Sequence, residues 1–364
     1  MDKNKRKGVV HHLSFTNTRT KMKKSLVRDV INSMKPAFSF SSRSEERGMV
    51  NLRDNENPFG GQQNRYPANV YPTLASCYLN ALAEIEDYQG HQEWHSDWVL
   101  MTRGASDGLD LIFRALFEPR QDSVIVTPPN FRLFDELATA YSVHVEPIPL
   151  LGDEFNHLDL VRIKTSQAKG ILLCDPNNPI GSSLVMDEVI HLLENFSGLV
   201  VIDEAYVEYA SRRSFRHLIH DYPQLIVVRS LSKAMALAGL RLGAVLAQPE
   251  LIQAMMKVRL PFALPQPVIE QAQAALSNIG QLKQQILLFI QERERVALRL
   301  KNIPAIENVF AHAGFITIKA PESIATRLLN AGFDVLPNPM GLIGYIRISL
   351  AAPEVMDNLL RVLE

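Results

Sequence analysis

Cysteine is scarce in this chain. Cys77 and Cys174 are the only two, far apart and in no Cys-x-x-Cys pair. That excludes a disulfide framework and a cysteine zinc site, and no other metal-ligand set stands out; reduced thiols point to a cytoplasmic protein. An excess of charge of one sign is also lacking. Against 38 Lys and Arg stand 39 Asp and Glu, a formal net charge of −1. The whole chain therefore gives no electrostatic reason to expect nucleic acid or a membrane surface as partner. No apolar run is long enough to span a bilayer, and nothing has the form of a secretory h-region. Internal repeats and low-complexity segments are absent. No Gly-x-Gly-x-x-Gly follows an early strand, which argues against a dinucleotide-binding protein.

What remains is ordinary globular composition, 46% hydrophobic and 21% charged over 364 residues. That length suits one large domain and one smaller one. The one local imbalance is at the N-terminus. Lys3, Lys5, Arg6, Lys7, Arg19, Lys21, Lys23 and Lys24 crowd there with Asp2 as the only acid. With little apolar content to order it, residues 1–24 read as a solvated basic tail rather than a nucleic-acid arm or a presequence.

From Ser25 to Met34 the residues Leu26, Val27, Val30, Ile31 and Met34 share one helical face, and Pro36 stops the pattern. This helix and the arm to residue 60 are expected to pack with the smaller domain. Over residues 61–257, short Val-, Ile- and Leu-rich runs alternate with helical patterns. The runs are Ser123–Thr127, His144–Pro147, Gly170–Cys174, Leu199–Asp203, Leu225–Arg229 and Gly243–Ala247. They lack polar alternation, so they read as strands covered on both faces: an α/β fold with a mostly parallel central sheet and helices on each side. Residues 258–364 change texture. Pro261, Pro265 and Pro267 break the chain, and a long helical pattern runs from Pro267 to about Asn302. Strand candidates follow at Phe315–Ile318 and Tyr345–Ser349, the mark of a smaller α+β domain.

Four motifs sit where strands end, and there such sheets bind ligands. Arg229-Ser230-Leu231-Ser232-Lys233 follows an apolar strand. Burial there disfavours the charged form of a lysine and makes it a candidate imine-forming amine. Ser230, Ser232 and Arg241 are suited to a phosphate. A surface lysine after a strand would look the same. Asp203, in Asp203-Glu204-Ala205-Tyr206, ends a strand; its carboxylate suits a protonated pyridinium nitrogen, or equally a helix N-cap. Tyr206 suits a ring hydroxyl. Asn178, in Pro176-Asn177-Asn178-Pro179, is first a turn residue and second an amide donor to that same oxygen. Thr102-Arg103-Gly104-Ala105-Ser106 opens a helix whose free N–H groups form an anion site.

In their joint order these stretches, with Leu260-Pro261-Phe262 and Tyr345-Ile346-Arg347-Ile348, resemble the class I/II aminotransferases, and among them the histidinol-phosphate aminotransferases. The resemblance runs from about Leu26 to the C-terminus. It implies pyridoxal-phosphate-dependent transferase fold type I, a homodimer with shared active sites, and exchange of an amino group between histidinol phosphate and 2-oxoglutarate in histidine biosynthesis. It further implies that Lys233 carries pyridoxal 5'-phosphate as a Schiff base. Asp203 would pair with the ring nitrogen, and Asn178 and Tyr206 would bind its 3-oxygen. Phe131 would stack on the ring. Ala105, Ser106, Ser230, Ser232 and Arg241 would hold the phosphate. Tyr66 would reach the partner subunit's cofactor, and Arg347 and Asn57 would bind substrate.

The chain departs from the family pattern where substrate binds. Leu336 stands where relatives carry an arginine, and Gly314 where they often carry asparagine. Ile348-Ser349-Leu350-Ala351 replaces a polar or glycine-rich turn. Aromatic amino-acid aminotransferases and threonine-phosphate decarboxylases share the fold and the lysine, and a single Arg347 would serve either. Arg53 and Arg65 are the candidates for a second cation.

Overall fold

The computed structural model describes residues 25–35, 50–61, 63–86 and 94–364. The basic tail 1–24 and part of the arm lie outside the described residues. The main sheet has seven strands: β1 (Val99–Thr102), β2 (Ser123–Val126), β3 (His144–Pro147), β4 (Gly170–Cys174), β5 (Leu199–Asp203), β6 (Leu225–Ser230) and β7 (Gly243–Leu246). Their spatial order is β1-β7-β6-β5-β4-β2-β3. β2 to β6 pair in parallel, and β7 runs antiparallel to both its neighbours. Every residue of β4, β5 and β6 is buried. That is why these runs show no polar alternation.

One face of the sheet is covered by α2 (Pro72–Ile85), α5 (Leu160–Thr165), α6 (Met186–Asn195) and α8 (Gln266–Ser277). The other is covered by α1 (Asp29–Ser33), α3 (Ala105–Leu116), α4 (Leu133–Ala140) and α7 (Pro249–Val258). The position of α1 corrects the sequence reading. Leu26 and Ile31 are buried in the core formed by α3 and α7, not against the smaller unit. Arg28 fixes this docking by donating to the Arg114 carbonyl at 2.7 Å and pairing with Glu118 at 3.1 Å. The helix is also shorter than Ser25–Met34, because Leu26 and Ile31 carry the contact while Val30 faces solvent.

The long pattern from Pro267 to Asn302 is two helices. Asn278, at φ −98° and ψ 60°, separates α8 from α9 (Ile279–Lys301). Ile269, Ala272 and Leu276 of α8 join the core beneath the main sheet, so that core extends past the boundary expected at residue 257. Two helices, α10 (Glu322–Asn330) and α11 (Pro353–Leu363), complete the smaller unit with α9. Its antiparallel sheet runs β10-β11-β9-β8, from β8 (Asn308–Phe310), β9 (Phe315–Lys319), β10 (Leu336–Pro337) and β11 (Tyr345–Ser349). Ile316, Ile318, Ile346 and Ile348 face the helices. By the two-residue period of a strand, Phe315, Thr317 and Arg347 face the opposite way, toward the main sheet. Among the described residues no helix is long and apolar enough to cross a membrane.

Candidate active site

Cys174, Asp203 and Val228 lie side by side at the carboxyl ends of β4, β5 and β6. Asp203 is 3% exposed, and one of its oxygens accepts the Ala205 N–H at 3.0 Å. Burial, with Glu204 beside it, pushes its pKa up to about 7 against the pull of the Ala205 N–H and Lys233. A carboxyl in that position favours a cationic partner, because a nearby positive charge would restore its ionised form.

After β6 the chain turns back on itself. The Leu231 N–H donates to the Leu242 carbonyl, the Leu237 N–H to Leu231, and the Ala236 N–H to Lys233. This knot holds Lys233 over the strand ends, with Nζ 5.6 Å from the centre of the Tyr206 ring. Lys233 is exposed in the single chain. Even so, partial burial of its ammonium and the cations of Arg347 and Arg241 lower its pKa, and Asp203 opposes them. A lowered pKa raises the share of neutral, nucleophilic amine. Burial likewise raises the pKa of the Tyr206 phenol, which keeps its proton.

Beside the lysine is an anion cradle. Arg241 takes a left-handed backbone (φ 53°), and its Nη1 donates to Ser232 Oγ at 3.3 Å. The Ser232 N–H donates to Ser230 Oγ at 3.2 Å. Gly104 caps α3 at φ +87°, and a Cβ on it would lie 3.1 Å from Arg241 Nη2. A Cβ on Gly243 would lie 2.5 Å from the Ala105 nitrogen. Two glycines thus let the first turn of α3, the Arg241 guanidinium and the two serines draw together. First-turn N–H groups have no partner within their helix, so the cradle offers donors and a cation to a phosphate.

The smaller sheet closes the site from above. Arg347 on β11 donates to Asn178 Oδ1 at 2.7 Å, and its guanidinium lies 5.2 Å from the centre of the Phe315 ring. Phe315 in turn meets the Tyr206 ring edge to face at 5.3 Å. Thr317 Oγ1 donates to the Pro179 carbonyl at 2.7 Å, which ties β9 to the loop that carries Asn178. At Gly314 a Cβ would stand 3.0 Å from the rings of both Tyr206 and Tyr209. The glycine is what allows Tyr206 its place. Leu336 is paired directly with Arg347 in the sheet and is 42% exposed.

The structure therefore brings together Lys233, Asp203, Tyr206, Asn178 and Arg347, with Arg241, Ser230, Ser232 and the Ala105–Ser106 turn at one side. Three other residues have different neighbours. Phe131 lies edge-on to Phe134 at 6.0 Å. Tyr66 stacks on Phe262 at 4.6 Å. Asn57 Oδ1 accepts the Phe59 N–H at 3.0 Å in a turn of the arm. Of the candidate second cations, Arg53 pairs with Asp54 at 2.9 Å and Arg65 with Glu56 at 2.5 Å. Sequence reasoning overlooked Phe315, an apolar strand residue with no distinguishing signal. It also overlooked the buried charges around Arg229. Their signal was available, since an arginine ending an apolar strand must find partners.

Residues 49–363 match the aminotransferase class I and II family. The chain is 33% identical over 354 residues to a histidinol-phosphate aminotransferase of Pseudoalteromonas atlantica, covering 92% of this chain and 93% of that protein. In fold it is similar to the crystal structure of histidinol-phosphate aminotransferase from Sinorhizobium meliloti in complex with pyridoxal-5'-phosphate. There the TM-score is 0.69 at 22% identity, over 97% of this chain and 98% of that one. It is also similar to L-threonine-O-3-phosphate decarboxylase from Porphyromonas gingivalis, with TM-score 0.68 at 21% identity, over 83% and 90%. With its strand-end lysine, its buried carboxyl and its match over nearly the whole length, the chain belongs to the class I and II aminotransferases.

Proposed function

We propose that this aminotransferase uses pyridoxal 5'-phosphate to exchange an amino group between histidinol phosphate and 2-oxoglutarate, as a cytoplasmic homodimer. The observation that carries the reading is the relative of that name, similar over nine-tenths of both chains. The residues present fit the cofactor. A buried carboxyl raised to about 7 suits a protonated ring nitrogen, and the α3 turn with Arg241 and two serines suits a phosphate. Bound there, the cofactor supplies an electrophilic carbonyl and an electron-withdrawing ring.

The chain's own residues supply the rest. Lys233 holds the cofactor and moves a proton through Nζ, helped by a pKa already lowered. Asp203 keeps a proton at the ring nitrogen. With its oxygen engaged by Arg347, Asn178 keeps its amide NH2 to donate to the ring oxygen, alongside the Tyr206 hydroxyl. Arg347 binds the anionic end of each substrate with a planar fork. The exposed Phe59 and Leu52 of the arm, 94% and 91% exposed, support a second copy lying across it.

Leu336 favours a second reading. It puts an apolar side chain beside Arg347, where a phosphate would want another donor. An amino acid with an aromatic side chain would suit that wall better. The deciding experiment mixes purified holoenzyme with histidinol phosphate, histidinol, phenylalanine and threonine phosphate in turn, following the absorbance of the bound cofactor. The proposal expects histidinol phosphate to react with the highest efficiency. Faster reaction of phenylalanine would move the substrate to the aromatic class and leave the transaminase standing.

A further inference from the structure

On the far side of the strand ends from Asp203 lies a second set of charges. One residue beyond the row Cys174, Asp203, Val228 come Asp175, Glu204 and Arg229. Side chains alternate along a strand, so this second row faces away from Asp203, toward α2. Arg229 is fully buried and pairs with Glu204 at 3.2 Å, Glu86 at 3.1 Å and Glu208 at 2.8 Å. Glu204 also accepts Ser214 Oγ at 2.5 Å and the Phe215 N–H at 2.7 Å. Arg212 joins the row by bridging Asp175 at 2.6 Å and Glu204 at 3.4 Å.

The consequence is geometric. Asp175 begins the loop that carries Asn178. Glu204 adjoins Asp203 and lies two residues before Tyr206. Arg229 adjoins Ser230 and begins the stretch to Lys233. All three loops that bear the polar groups of the site are therefore tied, at their roots, to one buried chain of alternating charges. A guanidinium suits the task because its five donors are spread over a rigid planar fork that reaches carboxylates on different sides, whereas an ammonium gathers three donors at one point. Arg229 Nε, Arg212 Nε and Glu208 Oε2 have no hydrogen-bond partner among the described residues, but the ion pairs that are made lie out of water and permit fewer alternative arrangements than exposed pairs, which would slide.

We propose that Arg229, with Arg212, is a positioning residue: through Glu204 and Asp175 it sets where Asp203, Asn178 and Lys233 stand relative to one another. Arg229 is fully buried and Arg212 is engaged with Asp175 and Glu204, so each acts through its carboxylate neighbours. The inference rests on the pyridoxal-phosphate reading above.

The test compares wild-type holoenzyme with Arg229→Lys and Arg212→Lys. Three quantities are read: thermal unfolding without cofactor, the pH titration of the bound cofactor's absorbance, and kcat and KM separately. The proposal expects the titration midpoint to move in both variants. For Arg229→Lys it expects kcat to fall on the order of 10²-fold, the scale of a small misplacement of reacting groups, while KM for the amino donor moves far less. Lower unfolding temperatures with the titration and kcat of wild type would mean that the network only holds the fold, and would overturn the proposal. If Arg229→Lys does not fold, Arg212→Lys decides by the same readings, since Arg212 lies at the edge of the network. A wild-type protein that takes up no pyridoxal phosphate would instead sink the cofactor reading itself.

Discussion

Arg347 Nη1 donates to Asn178 Oδ1 at 2.7 Å, so the smaller sheet's arginine and an amide in the loop after β4 share one hydrogen bond. The two residues are 169 positions apart in sequence. The bond couples the proposed anion anchor to the amide proposed for the ring oxygen. Removing the guanidinium therefore has two effects: the substrate anion loses a charge-assisted partner, and Asn178 loses what fixes its side chain. Arg347→Ala is expected to lower kcat/KM by about 1.5–3 kcal/mol for each anionic substrate, mostly through KM. Steady-state kinetics with the amino donor and the oxo acid checks this. An unchanged kcat/KM with both would remove Arg347 from substrate binding.

Asp203 makes the stability of the cofactor-free chain depend on pH. Its folded-state pKa of about 7 lies above the ordinary carboxylate value. The folded chain therefore holds this proton more tightly than the unfolded chain does. The resulting stability is full below about pH 4 and is lost as pH rises through about 7. Asp203→Asn removes the titration. Urea unfolding at about pH 5 and about pH 8 should show wild type losing roughly 2–3 kcal/mol more than the variant between the two. Parallel losses in both proteins would show that the carboxyl is not raised. In the holoenzyme the same variant should lose roughly 3–4 kcal/mol of transition-state stabilisation.

Gly314 lies against the Tyr206 and Tyr209 rings, and a Cβ added there would stand 3.0 Å from each. Gly314→Ala is expected to press Tyr206 away from Lys233. Activity should fall about tenfold or more, with a cost to stability of about 1–3 kcal/mol from overpacking. Turnover and urea unfolding of the variant check the two parts independently. Wild-type kcat in a destabilised variant would mean that the Tyr206 position does not matter to the reaction.

Much of this arrangement was legible in the sequence because parallel sheets write themselves plainly. Runs such as Val200-Val201-Ile202 must be covered on both faces, and the polar residue ending each run marks the ligand edge. Asp203 ends such a run, and Asn178 and Lys233 lie in the loops that follow two others. What failed was decided by tertiary partners. Nothing local in Ser25–Met34 says which surface will bury Leu26 and Ile31. Asn278 continues a helical pattern in composition while its backbone breaks it. The meeting of Arg347 with Asn178 and Phe315 depends on how the smaller sheet docks, and no spacing along the chain encodes that distance. Arg229 was in view as part of the lysine motif, but its carboxylates come from the residue that ends α2 and from the turn after β5.

The central claim is that Lys233 carries the cofactor, and one measurement tests it most directly. The purified protein is saturated with pyridoxal phosphate, reduced with borohydride, digested, and its peptides weighed. The account predicts a single pyridoxyl group on Lys233, absent from Lys233→Ala, with the variant's unfolding still cooperative. A pyridoxyl group found on another lysine, or on none, would contradict it.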